Sequence, residues 1–404
     1  MSSPSPDQLI QLPKGFSFSA LAAGIKASGK PDLALILAAP GTTAAAVFTT
    51  NRVAAAPVQV GREHLKQTRG RVRAVIVNSG NANCATGNTG LRACRQVCKA
   101  TARVLAIGGE EVIPSSTGII GVPLPTEKIL CNLEALTSSQ DSTQLGLERF
   151  ADAIMTTDTR QKLASATFRA GNSDVNVLGI AKGSGMIHPR LATMLVYLLT
   201  DLQASPVELT RLLKHSCDET FNCISIDGDT STNDTVLLLA SGRSKVRLTD
   251  AGIRSKFACA LSTVCDSLAE QIVADGEGVK HVIRLSIGQA RTPEEARQIA
   301  KTIAHSLLVK TAWAGADPNW GRILAAVGRS GISVDPNRVS IFIGKQKVCH
   351  HGTACSFDER EAHAHLAQPK CEIHVLVGRG RACTTFLTSD LTAEYVHINA
   401  DYST

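Results

Sequence analysis

Aromatic residues are scarce, 4% of the chain with two Trp and three Tyr. Basic residues exceed acidic ones by 42 to 35, a net charge of +7, without gathering into a block. Proteins that track phosphates concentrate their charge and add exposed aromatics, so no nucleic-acid partner is expected. Apolar runs such as residues 195–199 fall far short of the roughly 20 residues a bilayer crossing needs, and residues 1–14 lack a basic start followed by an apolar stretch. Neither a membrane nor an export route is expected. Several signatures are missing as well. No Cys-x-x-Cys pair occurs, Gly183-Ser184-Gly185 lacks the third glycine of a dinucleotide loop, and neither a Walker-type Gly-Lys-Ser/Thr nor a His-Glu-x-x-His is found.

Hydrophobic residues at 44% against charged residues at 19% are enough to bury a substantial core. A length of 404 residues suits two to three domains or one large α/β unit. Twelve cysteines are too sparse for the disulfide framework of a small secreted domain and are read as reduced thiols in the cytoplasm. The nearest thing to a metal constellation is Cys349-His350-His351 with Cys355, His363 and His365, whose spacing fits no common zinc site. These are read as solvated loop histidines, and no metal is expected. A non-catalytic metal-binding protein would have to rest on this cluster.

Helices announce themselves by their starts. Ser205-Pro206-Val207-Glu208 supplies a capping hydroxyl, a first-turn proline and a glutamate ahead of Leu209, Leu212 and Leu213, and Thr292-Pro293-Glu294-Glu295 repeats the device. Residues 91–105 form a third amphipathic stretch, with Cys94, Cys98 and Val104 turned toward a sheet. Residues 281–288 and 371–377 alternate like half-buried strands, whereas 72–77, 175–180, 235–240 and 194–199 are apolar throughout, as strands covered on both faces are. The expected class is α/β, a layered mixed sheet-and-helix sandwich, with no repeat and no linker marking a boundary.

The chemistry centres on residues 182–195. A glycine-rich loop runs through Pro189 into Ala192-Thr193-Met194 and then a buried strand. A threonine placed there can attack the preceding carbonyl to give an ester, which water opens. Thr193 then gains an α-amine of reference pKa about 7.7–8.0, and that amine can act as proton acceptor for the hydroxyl beside it.

The surrounding motifs are Val47-Phe48-Thr49-Thr50-Asn51, Asn78-Ser79-Gly80-Asn81-Ala82-Asn83, Ser115-Ser116-Thr117-Gly118-Ile119-Ile120-Gly121 and Lys182-Gly183-Ser184-Gly185-Met186. Asp227-Gly228-Asp229-Thr230-Ser231-Thr232-Asn233-Asp234, Gly315-Ala316-Asp317-Pro318-Asn319-Trp320-Gly321-Arg322 and the terminal Asn399-Ala400-Asp401-Tyr402-Ser403-Thr404 complete them. In this order they closely resemble the glutamate N-acetyltransferase (ornithine acetyltransferase) family of cyclic arginine biosynthesis, over nearly the whole chain. The resemblance implies a self-processing Thr-nucleophile acyltransferase fold. Cleavage between Ala192 and Thr193 would leave an α chain, 1–192, and a β chain, 193–404, joined as a tetramer of two α and two β chains. It implies acetyl transfer from N-acetylornithine to glutamate through acetyl-Thr193. No cofactor is implied, and acetyl-CoA is left open as a second donor.

Carried over by motif, Thr193 is the nucleophile and Thr117 and Gly118 form the oxyanion hole. Pro114-Ser115-Ser116-Thr117-Gly118 itself reads as a turn that lets backbone approach closely. Lys182, Glu277, Asn399 and Thr404 are implied substrate contacts, together with Thr156, for which the adjacent Thr157 is the alternative. Tail residues within the motif imply a C-terminus folded over the site. Asp227, Asp229, Thr230 and Asp234 lack the twelfth-position glutamate of a calcium loop, since position 238 is Leu238, and are read as scaffolding. Trp313 and Trp320 are read as core or interface residues, and Arg322 as either a carboxylate clamp or a structural ion pair. A self-processing hydrolase, with water in place of glutamate, is the rival within enzymes.

Overall fold

The computed structural model describes residues 10–188 and 194–401. Ala192, Thr193 and Thr404, three of the residues singled out by sequence, lie outside the described residues.

Two sheets stack face to face. The first runs Phe16–Leu21, Leu33–Ala38, Ala74–Asn81 and Val112–Ile119, antiparallel except for its last, parallel pair. The second runs Thr43–Phe48, Thr235–Ala240, Leu195–Thr200, Ser173–Lys182 and Lys162–Ala170. Because side chains alternate along a strand, each strand serves two cores. Val75 and Val77 face Tyr197, Leu199 and Leu237 between the sheets, with Phe150 packed beside them, while Ala74 and Ile76 face the helices Ala56–Gln67 and Gly87–Leu105. On the far side, Val196, Leu198, Val236 and Leu238 pack on Pro206–Glu219 and Ala251–Ala274. The result is a helix–sheet–sheet–helix sandwich, and it explains why the central strands carry no polar alternation.

The third sheet is a separate layer of seven strands, with Lys370–Leu376, Val282–Ala290 and Ala382–Ser389 at its centre. Helices Pro293–Ala304, Leu307–Ala314 and Trp320–Gly328 cover it. Trp313 is buried in this core and Trp320 packs against it.

The expected helix starts are in place. Ser205 Oγ accepts from the Glu208 N–H at 3.3 Å while the Glu208 carboxylate accepts the Ser205 N–H, and Thr292 Oγ1 accepts from the Glu295 N–H. The third amphipathic helix begins at Gly87, with Cys94 and Cys98 buried but Val104 40% exposed, so Val104 belongs to its outer face. Helix Ala251–Ala274 is long and apolar enough for a bilayer, which no inspection of short apolar runs disclosed. Its buried side, Phe257 to Val273, lies in the core against the second sheet.

Two local readings are overturned. Residues 114–118 are not a turn: they lie within the strand Val112–Ile119, whose parallel pairing with Ala74–Asn81 overrides the turn preference of Pro, Ser and Gly. His363 and His365 are not loop residues but sit on the helix Glu359–Leu366. His363 Nδ1 bonds the Ala316 carbonyl, His365 Nε2 accepts the Glu372 N–H at 2.8 Å, and among the described residues no group of three His, Cys, Asp or Glu is disposed to hold a metal.

Candidate active site

At one end of the sandwich a cavity of about 90 Å³ opens, well above the roughly 10–15 Å³ a single water needs. Its wall includes Thr117, Gly118, Thr156, Thr157, Lys182, Glu277 and Asn399. Six of the residues expected from sequence, drawn from five separate stretches of chain, therefore meet at one place. Thr157 lines the cavity beside Thr156, but it is Thr156 Oγ1 that accepts from Lys182 Nζ, at 2.8 Å, while Thr157 Oγ1 bonds Ser184 Oγ at 2.7 Å.

Gly118 closes the parallel strand pair with φ +129°, a conformation side chains rarely adopt. A Cβ there would lie 2.3 Å from the Gly80 carbonyl carbon, so the close approach requires glycine. Asn233 Nδ2 fastens the same strand by donating to the carbonyls of Ser116, at 2.8 Å, and Ala82, at 2.7 Å.

Lys182 ends the strand Ser173–Lys182 and is buried. Besides Thr156, its ammonium reaches Thr117 Oγ1 at 3.3 Å and faces Asp158 Oδ2 at 3.8 Å. Burial pulls the Lys182 ammonium below the ordinary lysine range and Asp158 opposes that pull. Asp158 belongs to a buried array that sequence reasoning missed. Its Oδ1 accepts from Lys162 Nζ and from the Gly183 N–H, both at 2.6 Å, and Lys162 Nζ also donates to Asp275 Oδ2 at 2.5 Å. Burial alone would raise the Asp158 carboxyl, but Lys182 and Lys162 outweigh it and hold the group well below the usual carboxylate range.

The loop after Lys182 is shaped by carboxylates. Gly185 packs so closely on Glu277 that a Cβ would lie 2.5 Å from its Oε2. Met186 takes φ +57°, and its N–H donates to Asp227 Oδ2 at 2.5 Å while the Ile187 N–H donates to Oδ1 at 2.9 Å. His188 stacks on His305 with ring centroids 4.7 Å apart. The Met194 N–H donates to Asp234 Oδ1 at 3.0 Å. Asp227 and Asp234 are thus scaffolding, as expected, each holding one side of the loop.

The C-terminal helix Ala393–Asp401 lies across the cavity's edge with none of its residues buried. Polar contacts hold it: Asn399 Nδ2 donates to Glu277 Oε2 at 2.8 Å, Tyr395 Oη to Asp227 Oδ2 at 3.3 Å, and Thr392 Oγ1 to the Gly278 carbonyl at 2.7 Å. Among the described residues, Arg322 neither clamps a carboxylate nor forms an ion pair. Its Nη1 donates to the Leu308 carbonyl at 2.8 Å.

The ornithine and glutamate roles expected of these residues coincide with a chain-wide likeness. Residues 17–404 match the ArgJ family. The arginine biosynthesis bifunctional protein ArgJ of Methylococcus capsulatus is 44% identical over 398 residues, covering 96% of this chain and 95% of the relative. The protein of that name from Caldanaerobacter subterraneus is also 44% identical, over 98% and 99%. A solved chain of the Bacillus halodurans protein is 39% identical with a TM-score of 0.50, covering 51% of this chain and 98% of that one. The chain described here belongs to the ArgJ family, which joins the sequence resemblance to a fold and a cavity that carry the same residues.

Proposed function

We propose that this protein moves the acetyl group of N-acetylornithine to glutamate through an acetyl ester on Thr193, after breaking its own chain between Ala192 and Thr193. The observation that carries the reading is the convergence on one cavity of Thr117, Gly118, Lys182, Glu277 and Asn399, next to the strand that Met194 leads into. An acyl transfer develops an oxyanion, and each donor aimed at it is worth about 3 kcal/mol. The Thr117–Gly118 pair supplies such donors at the head of the parallel strands. Lys182 offers a cation to an α-carboxylate, and Glu277, steadied by Asn399, offers an anion to the δ-ammonium of ornithine. Ornithine leaves first and glutamate's amine then takes the acetyl group, a ping-pong order.

The family itself supports the reading, and so does the half-length of the Bacillus halodurans chain, as a precursor cut in two would give. Ser173–Lys182 and Leu195–Thr200 pair side by side, and Thr43–Phe48 pairs with Thr235–Ala240. Two products of the cut would stay together through one shared sheet, and an α₂β₂ assembly in the cytoplasm is the form we propose. The scheme needs no cofactor. Acetyl-CoA is the second donor to assay, and released acetate against N-acetylglutamate separates the transferase from a hydrolase.

The decisive experiment is Thr193→Ala. Purified wild-type protein is expected to run as two bands of similar size, and the variant as one intact band without acetyl transfer. A variant that still splits at this bond ends the proposal.

A further inference from the structure

Oxyanion donors work only when they are held still before the charge develops. The strand Val112–Ile119, which carries Thr117 and Gly118, lies at the edge of its sheet: it pairs with Ala74–Asn81 on one side, and among the described residues no strand covers the other. One side chain takes the place of the missing neighbour. Asn233 is 6% exposed, in the wall of the cavity. Its Nδ2 donates to the Ser116 carbonyl at 2.8 Å and to the Ala82 carbonyl at 2.7 Å, while its Oδ1 accepts from Thr232 Oγ1 at 2.6 Å. Both amide hydrogens and the amide oxygen are engaged, so the side chain can sit only one way round. The backbone beneath it is pinned as well. Thr49 Oγ1 donates to the Ser231 carbonyl at 2.7 Å, the Ala55 N–H to the Thr232 carbonyl at 2.9 Å and the Thr49 N–H to the Asp234 carbonyl at 3.0 Å.

The two carbonyls that Asn233 grips flank the proposed donors. The Ser116 oxygen and the Thr117 nitrogen belong to one planar peptide, so holding the oxygen fixes the plane from which Thr117 starts. Ser116 is tied at its side chain too, where Oγ donates to Asn78 Oδ1 at 2.6 Å. Ala82 follows Gly80 and Asn81, the backbone on which Gly118 packs, and its N–H donates to the Ile119 carbonyl at 2.9 Å. Lys182 Nζ donates to Thr117 Oγ1 at 3.3 Å, and that hydroxyl has no acceptor among the described residues, which leaves its hydrogen for the cavity it lines. We propose that Asn233 is a positioning residue for acetyl transfer, keeping Thr117 and Gly118 aimed at the developing oxyanion without touching the reacting atoms itself. The role rests on the acetyl transfer proposed for this cavity.

Asn233→Leu keeps the size of the side chain and removes both donors. In the split enzyme, kcat for transfer from N-acetylornithine to glutamate is expected to fall about 10- to 100-fold, as a misplacement of roughly 1 Å or a lost oxyanion donor does. Ornithine affinity, measured by calorimetry, should stay within about 3-fold of wild type, because the side chains proposed to bind it are untouched. Coupling to Thr117 supplies a reading that a general weakening of the fold would not give. Thr117→Val removes the hydroxyl, and adding Asn233→Leu to it should cost clearly less than Asn233→Leu costs alone, as expected of groups acting as a unit. Losses that simply multiply, or a weakened ornithine affinity with kcat retained, would overturn the proposal. Should Asn233→Leu stay unsplit, Thr232→Val takes its place, since it frees the amide to turn over. A kcat down a few-fold and coupled to Thr117→Val is then expected, and an unchanged kcat overturns the role of Asn233. Wild-type enzyme that splits yet moves no acetyl group from N-acetylornithine to glutamate would instead remove the activity on which the role rests.

Discussion

The two banks of the cavity hold carboxyl groups of the same kind at similar depth whose pKa values are shifted in opposite directions. On one bank Asp158 faces Lys162 at 2.6 Å and Lys182 at 3.8 Å, Asp275 shares Lys162 at 2.5 Å, and the two lysines hold the Asp158 carboxyl well below its usual range. On the other, Asp227 and Asp234 are met directly by neutral donors, the N–H groups of Met186, Ile187, Asp229 and Met194 and the Tyr395 hydroxyl, with no ion pair among the described residues. Burial wins there, raising Asp227 to about 6 and Asp234 well above the carboxylate range. The contrast teaches that neutral dipoles do not offset desolvation at these sites whereas an ammonium in contact does. One bank holds fixed charge at the cavity, and the other grips the loop backbone through carboxyls that burial raises.

The contrast breaks most directly at Lys162, whose side chain is wholly buried between Asp158 and Asp275. Lys162→Met keeps the apolar stem and removes the ammonium. It leaves Asp275 to the rim residue Arg160, 3.5 Å away, and Asp158 to Lys182 at 3.8 Å. Breaking a buried ion pair from one side costs about 3–5 kcal/mol, and urea unfolding in the unsplit Thr193→Ala background should show it. Adding Asp275→Asn should return part of the loss. A cost below about 1 kcal/mol would mean that the charged bank is not held by this lysine.

A smaller effect sharpens the contrast through acid stability. The folded Asp158 carboxyl lies below its unfolded value, so its contribution is present above the unfolded pKa and is lost as pH falls below it. Asp227 runs the other way. Its folded value of about 6 exceeds the model-compound 3.8, so between these pH values the unfolded chain releases a proton that the folded one keeps. Stability from this group therefore falls as pH rises through that window and is level above it. Asp227→Asn should flatten the slope of unfolding free energy between about pH 4 and 6 and leave the acid loss from Asp158 unchanged. An unaltered slope would refute the buried neutral state of Asp227.

Much of this was legible along the chain, for identifiable reasons. The strand Thr235–Ala240 matches its expected limits because an uninterrupted apolar run between polar ends has one comfortable place, covered on both faces. Ser205 and Thr292 mark helix starts because capping is a local contact three residues long. Thr117, Lys182, Glu277 and Asn399 were reached through motif resemblance, and the cavity gathers them. Lys162 was invisible. Nothing in Lys162-Leu163-Ala164 marks a buried cation; of its two counter-charges, Asp158 four positions earlier reads as an ordinary local pair and Asp275 stands 113 positions away. Residues 114–118 misled because turn preferences are local, while the parallel partner that straightens them lies roughly forty residues earlier.

The smallest expected effect concerns the seam between the C-terminal helix and the bank of Asp227 and Asp234. Helix Ala393–Asp401 buries none of its side chains, so it has little apolar contact to hold it and depends on a few polar bonds. One is the 3.3 Å bond from Tyr395 to Asp227, the carboxyl that also grips the Met186 and Ile187 N–H groups. Tyr395→Phe removes only that hydroxyl, a change of about 0.5–1.5 kcal/mol for an ordinary hydrogen bond. Because Asn399 lies one turn further along the same helix and steadies Glu277, the loss should fall on ornithine binding. The KM for N-acetylornithine should rise a few-fold with kcat nearly unchanged, and amide exchange over residues 393–401 should quicken. A fall in kcat at constant KM would instead tie the Asp227 contact to the chemical step, and the effect of Tyr395 could no longer be read as one on binding.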